Sequence, residues 1–315
     1  MRDLVVIGAS AGGVHALSRV AADLPADLDA AVVAVLHVPA NGTSVLPIVL
    51  SRAGALPAEH ARHGRRLQRG HIYVAPPDRH VLVHDGVVQL SRGPRENRHR
   101  PAVDPLFRSA ARARGPRVVG VILSGTLDDG TLGLDRIRAR GGLAIVQDPA
   151  DAEYPGMPAN ALRVVGADLV LPLEEIGAAI ARAVGQTAPA WASDPPERPS
   201  RVDTQRPCLT CKGGLGEVQE HELVRFPCGV EHAYAPGALA GDEDHALEGA
   251  LWAAARSLRE SAAIDRRLEE LARAGRAPGR SAVHEENARA KEGQAARIEA
   301  LLLMRGGQAK PWRDA

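Results

Sequence analysis

At 315 residues the chain is long enough for two domains with cores of their own, and its 45% hydrophobic content fits a globular fold. Its 39 basic and 38 acidic residues leave a formal net charge of +1, which argues against bulk nucleic-acid binding. No apolar run approaches the roughly 20 residues of a membrane span, no signal-peptide layout opens the chain, and three cysteines confined to 208–228 make no disulfide framework, so a cytoplasmic protein without membrane insertion is expected.

Leu4 to Ile7 run straight into Gly8-Ala9-Ser10-Ala11-Gly12-Gly13 and then into helix-compatible Val14, Ala16, Leu17 and Val20. The pattern is strand, tight turn, helix, with one hydroxyl at the apex. Gly8-x-Ser10-x-Gly12 has the spacing of a nucleophile elbow, in which a serine projects from the sheet edge beside the N–H groups of the next helix. A dinucleotide turn fits less well, because Ser10 stands where its second glycine belongs and no acidic residue closes the second strand. A small residue in a structural turn is the plain alternative.

Ala30 to Pro39 reads as a second buried strand carrying His37 at its end. Short alternating runs at 71–75, 81–83 and 87–90 suggest an antiparallel extension, and residues 52–100 form the one locally basic stretch. A helix from Val103 to Arg114, a strand from Val118 to Ser124, the turn Gly125 to Gly130, a helix to about Arg140, strands at 143–147 and 169–171, and a helix from Pro172 to Val184 follow. Strands alternating with helices predict a doubly wound α/β fold, a mostly parallel sheet with function at its carboxyl edge. Ser10, His37 and Asp129 each lie just past the end of a predicted strand. An alcohol needs a base to take its proton and an acid to orient that base, and these three supply the set, with Asp128 competing for the acid's place. The order Ser, His, Asp excludes the α/β-hydrolase fold, whose order is Ser, Asp/Glu, His.

Residues 186–207 are rich in Pro, Ser and charge, and read as a linker. Cys208-x2-Cys211, sixteen residues, then Cys228-x3-His232 has the spacing of a closed four-ligand zinc site, with His221 as an alternative fourth ligand. This implies a structural zinc module over 208–240. Over 241–315, Leu247, Leu251, Ala254, Leu258, Leu268 and Leu271 recur at helical spacing before a Gly275–Gly279 breaker, which predicts an α-helical hairpin.

Ile7-Gly8-Ala9-Ser10-Ala11-Gly12-Gly13, Leu36-His37-Val38-Pro39, Tyr73 to His80, Asn97 to Arg108, Asp129-Gly130, Gln147-Asp148 and Gly156-Met157-Pro158 occur in that order. Together they resemble the catalytic domain of CheB, the chemotaxis protein-glutamate methylesterase, over residues 1–185. The resemblance implies hydrolysis of glutamyl γ-methyl esters, and in some members deamidation of glutamine, on methylated chemoreceptors or receptor-like coiled-coil proteins. It places the nucleophile on Ser10, the base on His37, the acid on Asp129 and the oxyanion donors on the backbone N–H groups of Ala11 and Thr126. No catalytic cofactor is expected. Arg98, His99, Arg100 and Met157 are candidate substrate contacts, with a solvated Arg-rich surface as the other reading of the two arginines.

Two departures stand out. The family turn Gly-Met-Gly-x-Asp-Gly reads Gly125-Thr126-Leu127-Asp128-Asp129-Gly130 here, so a position that needs φ > 0 would strain Leu127. The chain also opens directly on the catalytic strand, so control in cis by a phosphorylated receiver domain is not expected. A catalytically weak adaptor, or a serine hydrolase for an unrelated ester, are the alternative functions.

Overall fold

The computed structural model describes residues 1–189, 201–208, 213–220, 223–228, 232–274 and 278–306. The chain divides into two compact units, residues 1–239 and 240–315.

In the first unit the chain runs β1 (Leu4–Ala9), α1 (Gly13–Asp23), β2 (Ala31–Leu36), α2 (Leu46–Ala53), β3 (Ala58–His60), β4 (Ile72–Val74), β5 (His80–His84) and β6 (Val87–Ser91). It continues through α3 (Val103–Arg114), β7 (Val118–Ile122), α4 (Thr131–Ala139), β8 (Leu143–Gln147), α5 (Gly156–Val164), β9 (Leu169–Leu171) and α6 (Leu173–Val184). Seven of these strands form one parallel sheet in the order β3-β4-β2-β1-β7-β8-β9, and β5 pairs antiparallel with β6.

Both faces of the central strands are covered, which is why β1, β2 and β7 carry no polar side chain, whereas the edge strand β3 holds Glu59 and His60 and the edge strand β9 is exposed. Val5, Ile7, Val32, Ala34, Val119 and Val121 face α1, α2 and α6. Leu4, Val6, Val33, Val35, Val118 and Ile122 face α3, α4, α5 and the β5–β6 hairpin. The doubly wound architecture expected from the strand–helix alternation is present. The run at 71–75, expected in the antiparallel extension with 81–83 and 87–90, instead supplies β4, a parallel strand inside the main sheet, because Val32 to Ala34 pair with Ile72 to Val74.

The chain leaves β1 toward β2 on one side and returns to β7 on the other. The crevice between the carboxyl ends of β1 and β7 is therefore the switch point where such sheets bind ligands. The Ser10 N–H donates to Ser124 O at 3.0 Å and ties those two ends together.

Beyond α6 come β10 (Arg201–Pro207), β11 (Gly214–Glu220), β12 (Leu223–Pro227) and β13 (Ala233–Tyr234), a four-stranded antiparallel meander. Residues 201–207, the end of the stretch read as linker, thus form a strand, held by pairing with β11 rather than by any apolar alternation of their own. The helix α7 starts at Pro236 and ends at Ala274, and α8 spans Pro278–Gly306.

Within the 240–315 unit, α7 and α8 pair as an antiparallel helical hairpin. Arg259, Arg266 and Arg273 pair with Glu299, Glu292 and Glu285, a ladder stepping by seven residues on each helix. Ala255, Ala262, Ala288 and Ala295 are buried along the same seam, whereas Leu268 and Leu271 of the expected apolar stripe are exposed. Small side chains let the helices approach closely enough for the ladder to form. Among the described residues, no helix is long and apolar enough to cross a membrane.

Candidate active site

Ser10 follows the last residue of β1, and the turn after it closes because Gly12 takes φ 72°, a left-handed conformation that an L side chain adopts at a cost. Gly12 is also the N-cap of α1, so the positive end of that helix lies behind the serine. His37 is the first residue after β2, and its backbone N–H donates to Ala9 O at 3.3 Å, holding it level with Ser10. Asp129 sits in the turn before α4, whose N-cap Gly130 has φ 95°.

These three side chains, widely separated in sequence, meet. Ser10 Oγ lies 3.0 Å from His37 Nδ1, and His37 Nε2 lies 2.7 Å from Asp129 Oδ2. The ring turns Nδ1 toward the hydroxyl and Nε2 toward the acid, the reverse of the chymotrypsin arrangement, yet it offers the same acceptor to the alcohol and the same donor to the carboxylate.

Asp129 is 2% exposed. Burial alone would raise its pKa, but the hydrogen bond from His37, the N–H of Val103 at 2.7 Å and the amide of Asn97 at 2.8 Å outweigh it. The carboxyl is held well below the usual range. Its oxygens also accept the Asp104 N–H at 3.1 Å. Asp128, the competing acid, turns away and accepts the N–H of Gly237 at 2.9 Å; burial pushes it up to about 6.

His99 stacks on His37, ring centroids 3.6 Å apart and planes 7° from parallel. Burial and the neighbouring His37 hold His99 down to about 4, so it stays neutral beside a ring that must gain a proton. The turn that delivers it is a tight reversal: His99 N–H donates to Glu96 O and Glu96 N–H to His99 O, with Asn97 at φ 48° and Arg98 at φ 73° between them. The buried His80 closes the base of this loop, with Nε2 2.9 Å from Pro94 O while Nδ1 accepts the Ala102 N–H.

A cleft of about 540 Å³ opens above the serine, lined among others by Ala11, Val38, Pro39, Arg95, Arg98 and His99. Among the described residues, the N–H groups of Ala11 and Thr126 have no backbone hydrogen-bond partner. Arg100 reaches the cleft, but its guanidinium is engaged with Asp78 (3.0 and 2.6 Å) and with the carbonyls of Arg92 and Gly93. Met157 is fully buried and packs beneath Gly125, so it shapes the turn and does not face the cleft. Leu127 does take φ 63°, the strain foreseen for it, and Asn160 Nδ2 donates to its carbonyl at 2.8 Å.

Sequence reasoning assigned no role to Asn97, Asp104 or Arg95. Asn97 is 3% exposed, and its amide donates to both Asp129 Oδ1 and Asp104 Oδ2. Asp104 is fully buried, pushed up by burial and by the charge of Asp129. The signal available for Asn97 was its place at the head of the Asn97 to Arg108 stretch, one of those that carry the resemblance.

In the meander, one ligand atom each from Cys208, Cys228 and His232 falls within 4.8 Å of the others. Cys228 Sγ and His232 Nδ1 are 3.4 Å apart. A tetrahedral zinc with bonds of about 2.3 and 2.05 Å sets such a pair roughly 3.6 Å apart, so the donors fit the ion. Cys211 and the alternative ligand His221 lie outside the described residues.

Comparison with known proteins gives concordant results. Residues 5–180 match the family model described as CheB methylesterase. A relative in Anaeromyxobacter dehalogenans, named protein-glutamate methylesterase/protein-glutamine glutaminase 2, is 40% identical over 178 residues, 56% of this chain and 52% of the relative. A putative protein of the same description in Leptospira interrogans is 37% identical over 175 residues, 55% of this chain and 91% of that protein. The crystal structure of the Thermotoga maritima CheB methylesterase catalytic domain superimposes with a TM-score of 0.55 at 32% identity, over 58% of this chain and 98% of that one. The chain spans about half the length of the Anaeromyxobacter relative.

Proposed function

The chain belongs to the CheB methylesterase family, and from that premise we propose that it hydrolyses glutamate γ-methyl esters, and deamidates glutamine, on methylated chemoreceptor-like helices in the cytoplasm. The observation that carries this reading is the continuous hydrogen-bond chain Ser10–His37–Asp129. His37 Nδ1 takes the Ser10 proton as Oγ attacks the ester carbonyl, while ionised Asp129 holds Nε2–H and stabilises the imidazolium. The N–H groups of Ala11 and Thr126 receive the oxyanion. The imidazolium returns its proton to the departing methoxide, releasing methanol. Water, deprotonated by the same ring, then cleaves the acyl-serine to leave a glutamate carboxylate.

Arg95 and Arg98, with Arg100 held behind them by Asp78, give the cleft a basic wall suited to an acidic receptor helix. Three parts divide the work: an esterase domain over 1–185, a module over 208–240 in which Cys208, Cys211, Cys228 and His232 hold a structural zinc, and a helical hairpin over 241–315. The zinc supplies folding energy and takes no part in ester cleavage. The test is methanol release from methylated receptor membranes. Ser10→Ala should lower it by about 10⁵-fold or more; release that survives the substitution would refute the nucleophile, and no release from the unmodified protein would refute the substrate.

A further inference from the structure

The residues that close the cysteine cluster lead directly into those that hold the acid. The Cys228 N–H donates to His232 O at 2.8 Å, completing the knuckle, and Ala233 begins β13 at the next position. From there the backbone meets the active-site loop group by group. Ala233 O accepts the Asn97 N–H at 3.0 Å, the Ala235 N–H donates to Asn97 Oδ1 at 2.8 Å, and the Gly237 N–H donates to Asp128 Oδ2 at 2.9 Å. Asn97 Nδ2 in turn donates to Asp129 Oδ1.

This arrangement fixes the Asn97 amide. Rotated by 180°, it would set its NH₂ against the Ala235 N–H and its oxygen against the carboxylates of Asp104 and Asp129. Ala235, Asn97 and Asp129 are all buried, so none of these clashes is relieved by water. The two carboxyls and the Ala235 N–H together select the amide orientation that serves the acid, and the Ala235 N–H is the part of that selection supplied from β13.

Among the described residues, the apolar cluster of the meander is small. Its core is Cys208, Leu215, Cys228, Tyr234 and Leu239, with Phe226 packed against them, and two of those five buried side chains are candidate metal ligands. So small a core needs a covalent or metal staple. Tyr234, the last residue of β13, sets its hydroxyl 3.5 Å from Cys208 Sγ, so a change at the cluster is felt on the strand itself.

We infer that the Cys208/Cys228/His232 cluster is a metal-dependent brace for the active site: a thiophilic divalent cation fixes β13, β13 locks Asn97 as a positioning residue for Asp129, and catalysis depends on a metal that never touches substrate. The inference rests on the hydrolase and zinc readings above. It makes the brace reciprocal: an active-site ligand that binds the braced form more tightly must tighten metal binding by the same factor.

The test uses the full-length chain loaded with zinc, or with cobalt(II) for its thiolate charge-transfer band, and a small carboxylic ester as substrate. Chelation under reducing conditions should lower kcat by about 10²-fold, the scale of an ångström-sized misplacement, with KM within twofold, and added zinc should restore it. Asn97→Ala should lower kcat comparably while keeping the cobalt band, should weaken zinc binding in competition with a chromophoric chelator, and should show no further fall when metal is removed. Metal-free protein as active as the loaded form would overturn the brace. So would additive effects of Asn97→Ala and chelation, a Cys208–Cys211 disulfide in place of metal, or loss of the helical far-UV circular dichroism signal of the whole chain on chelation, because the brace is confined to the meander and the loop it meets. If loaded protein hydrolyses no ester, the hydrolase reading fails instead; weaker zinc binding in Asn97→Ala would still report the coupling.

Discussion

Replacing Asp129 by Asn separates the structural from the catalytic part of its role, because the carboxylate faces donors on both sides. Oδ2 accepts from His37 Nε2 and the Val103 N–H; Oδ1 accepts from Asn97 Nδ2 and the Asp104 N–H. An amide has one acceptor, so its NH₂ must face one pair of donors. Facing Asn97 and Asp104, it strands two buried donors at about 1–3 kcal/mol each. Facing His37 and Val103, it strands only the Val103 N–H, because the imidazole can change tautomer and accept at Nε2. The second placement costs less, about 1–3 kcal/mol, but it puts the ring proton on Nδ1, against Ser10 Oγ. Asp129→Asn should therefore fold, lose that much stability in urea melts, and lose about 10⁴-fold in kcat on a small ester, the size of the effect when a serine-protease acid is amidated. Activity within tenfold of the parent would refute the assignment of Asp129 as the group that sets the tautomer.

Leu127→Gly removes a side chain from φ 63° and should stabilise the protein by about 1 kcal/mol, or roughly 2–4 °C in Tm; a lower Tm would mean that the contacts of the half-buried leucine outweigh the strain. Gly125→Ala sets a methyl 2.9 Å from Ser10 Cβ and onto the Met157 sulfur, so kcat should fall by about 10²-fold with circular dichroism unchanged; full activity would show that the turn can yield. His99 sits at about 4 in the folded protein against roughly 6.5 unfolded, so its contribution to stability is full above pH 6.5 and is lost as pH falls toward 4. Asp128, raised to about 6, acts in the opposite sense, so the readout is a difference: His99→Phe keeps a stacking ring and should flatten the Tm-against-pH curve between 6.5 and 4, and an unchanged slope would refute it.

The sheet was legible because its strands are unbroken branched runs punctuated by glycine, and because three candidate residues fell just beyond strand ends. The helix at 46–53 was not, since it follows a Pro-Ala-Asn-Gly-Thr-Ser stretch with no apolar period. The meander was illegible for a related reason: β10 has Val202 as its one aliphatic residue besides Pro207, and pairing, not pattern, makes it a strand. In the hairpin the eye follows leucine, yet alanines form the seam, and alanine gives no periodic signal in a chain so rich in it. At the site, Ser10 and His37 stood on readable strands. Asn97 lies in a two-residue reversal inside an arginine-rich loop, and its role exists only through partners far away in sequence.

Two carboxyls, Asp104 and Asp129, are buried side by side, and both cannot be charged in so dry a pocket. Their donors decide which one keeps the charge. Asp129 accepts four hydrogen bonds, from His37, Val103, Asn97 and Asp104, whereas Asp104 accepts from Gly133 N–H and Asn97. The better-served group is ionised, and its charge then raises its neighbour, which matches the opposite directions in which the two are shifted. Asn97 binds both, so it holds the neutral acid at a fixed distance from the charged one. The single negative charge of the pocket is thereby confined to the oxygens that face the imidazole, where it stabilises the proton taken from serine. A charge shared between the carboxyls would sit farther from His37 and do less, and this ties the rate to the orientation of one asparagine amide.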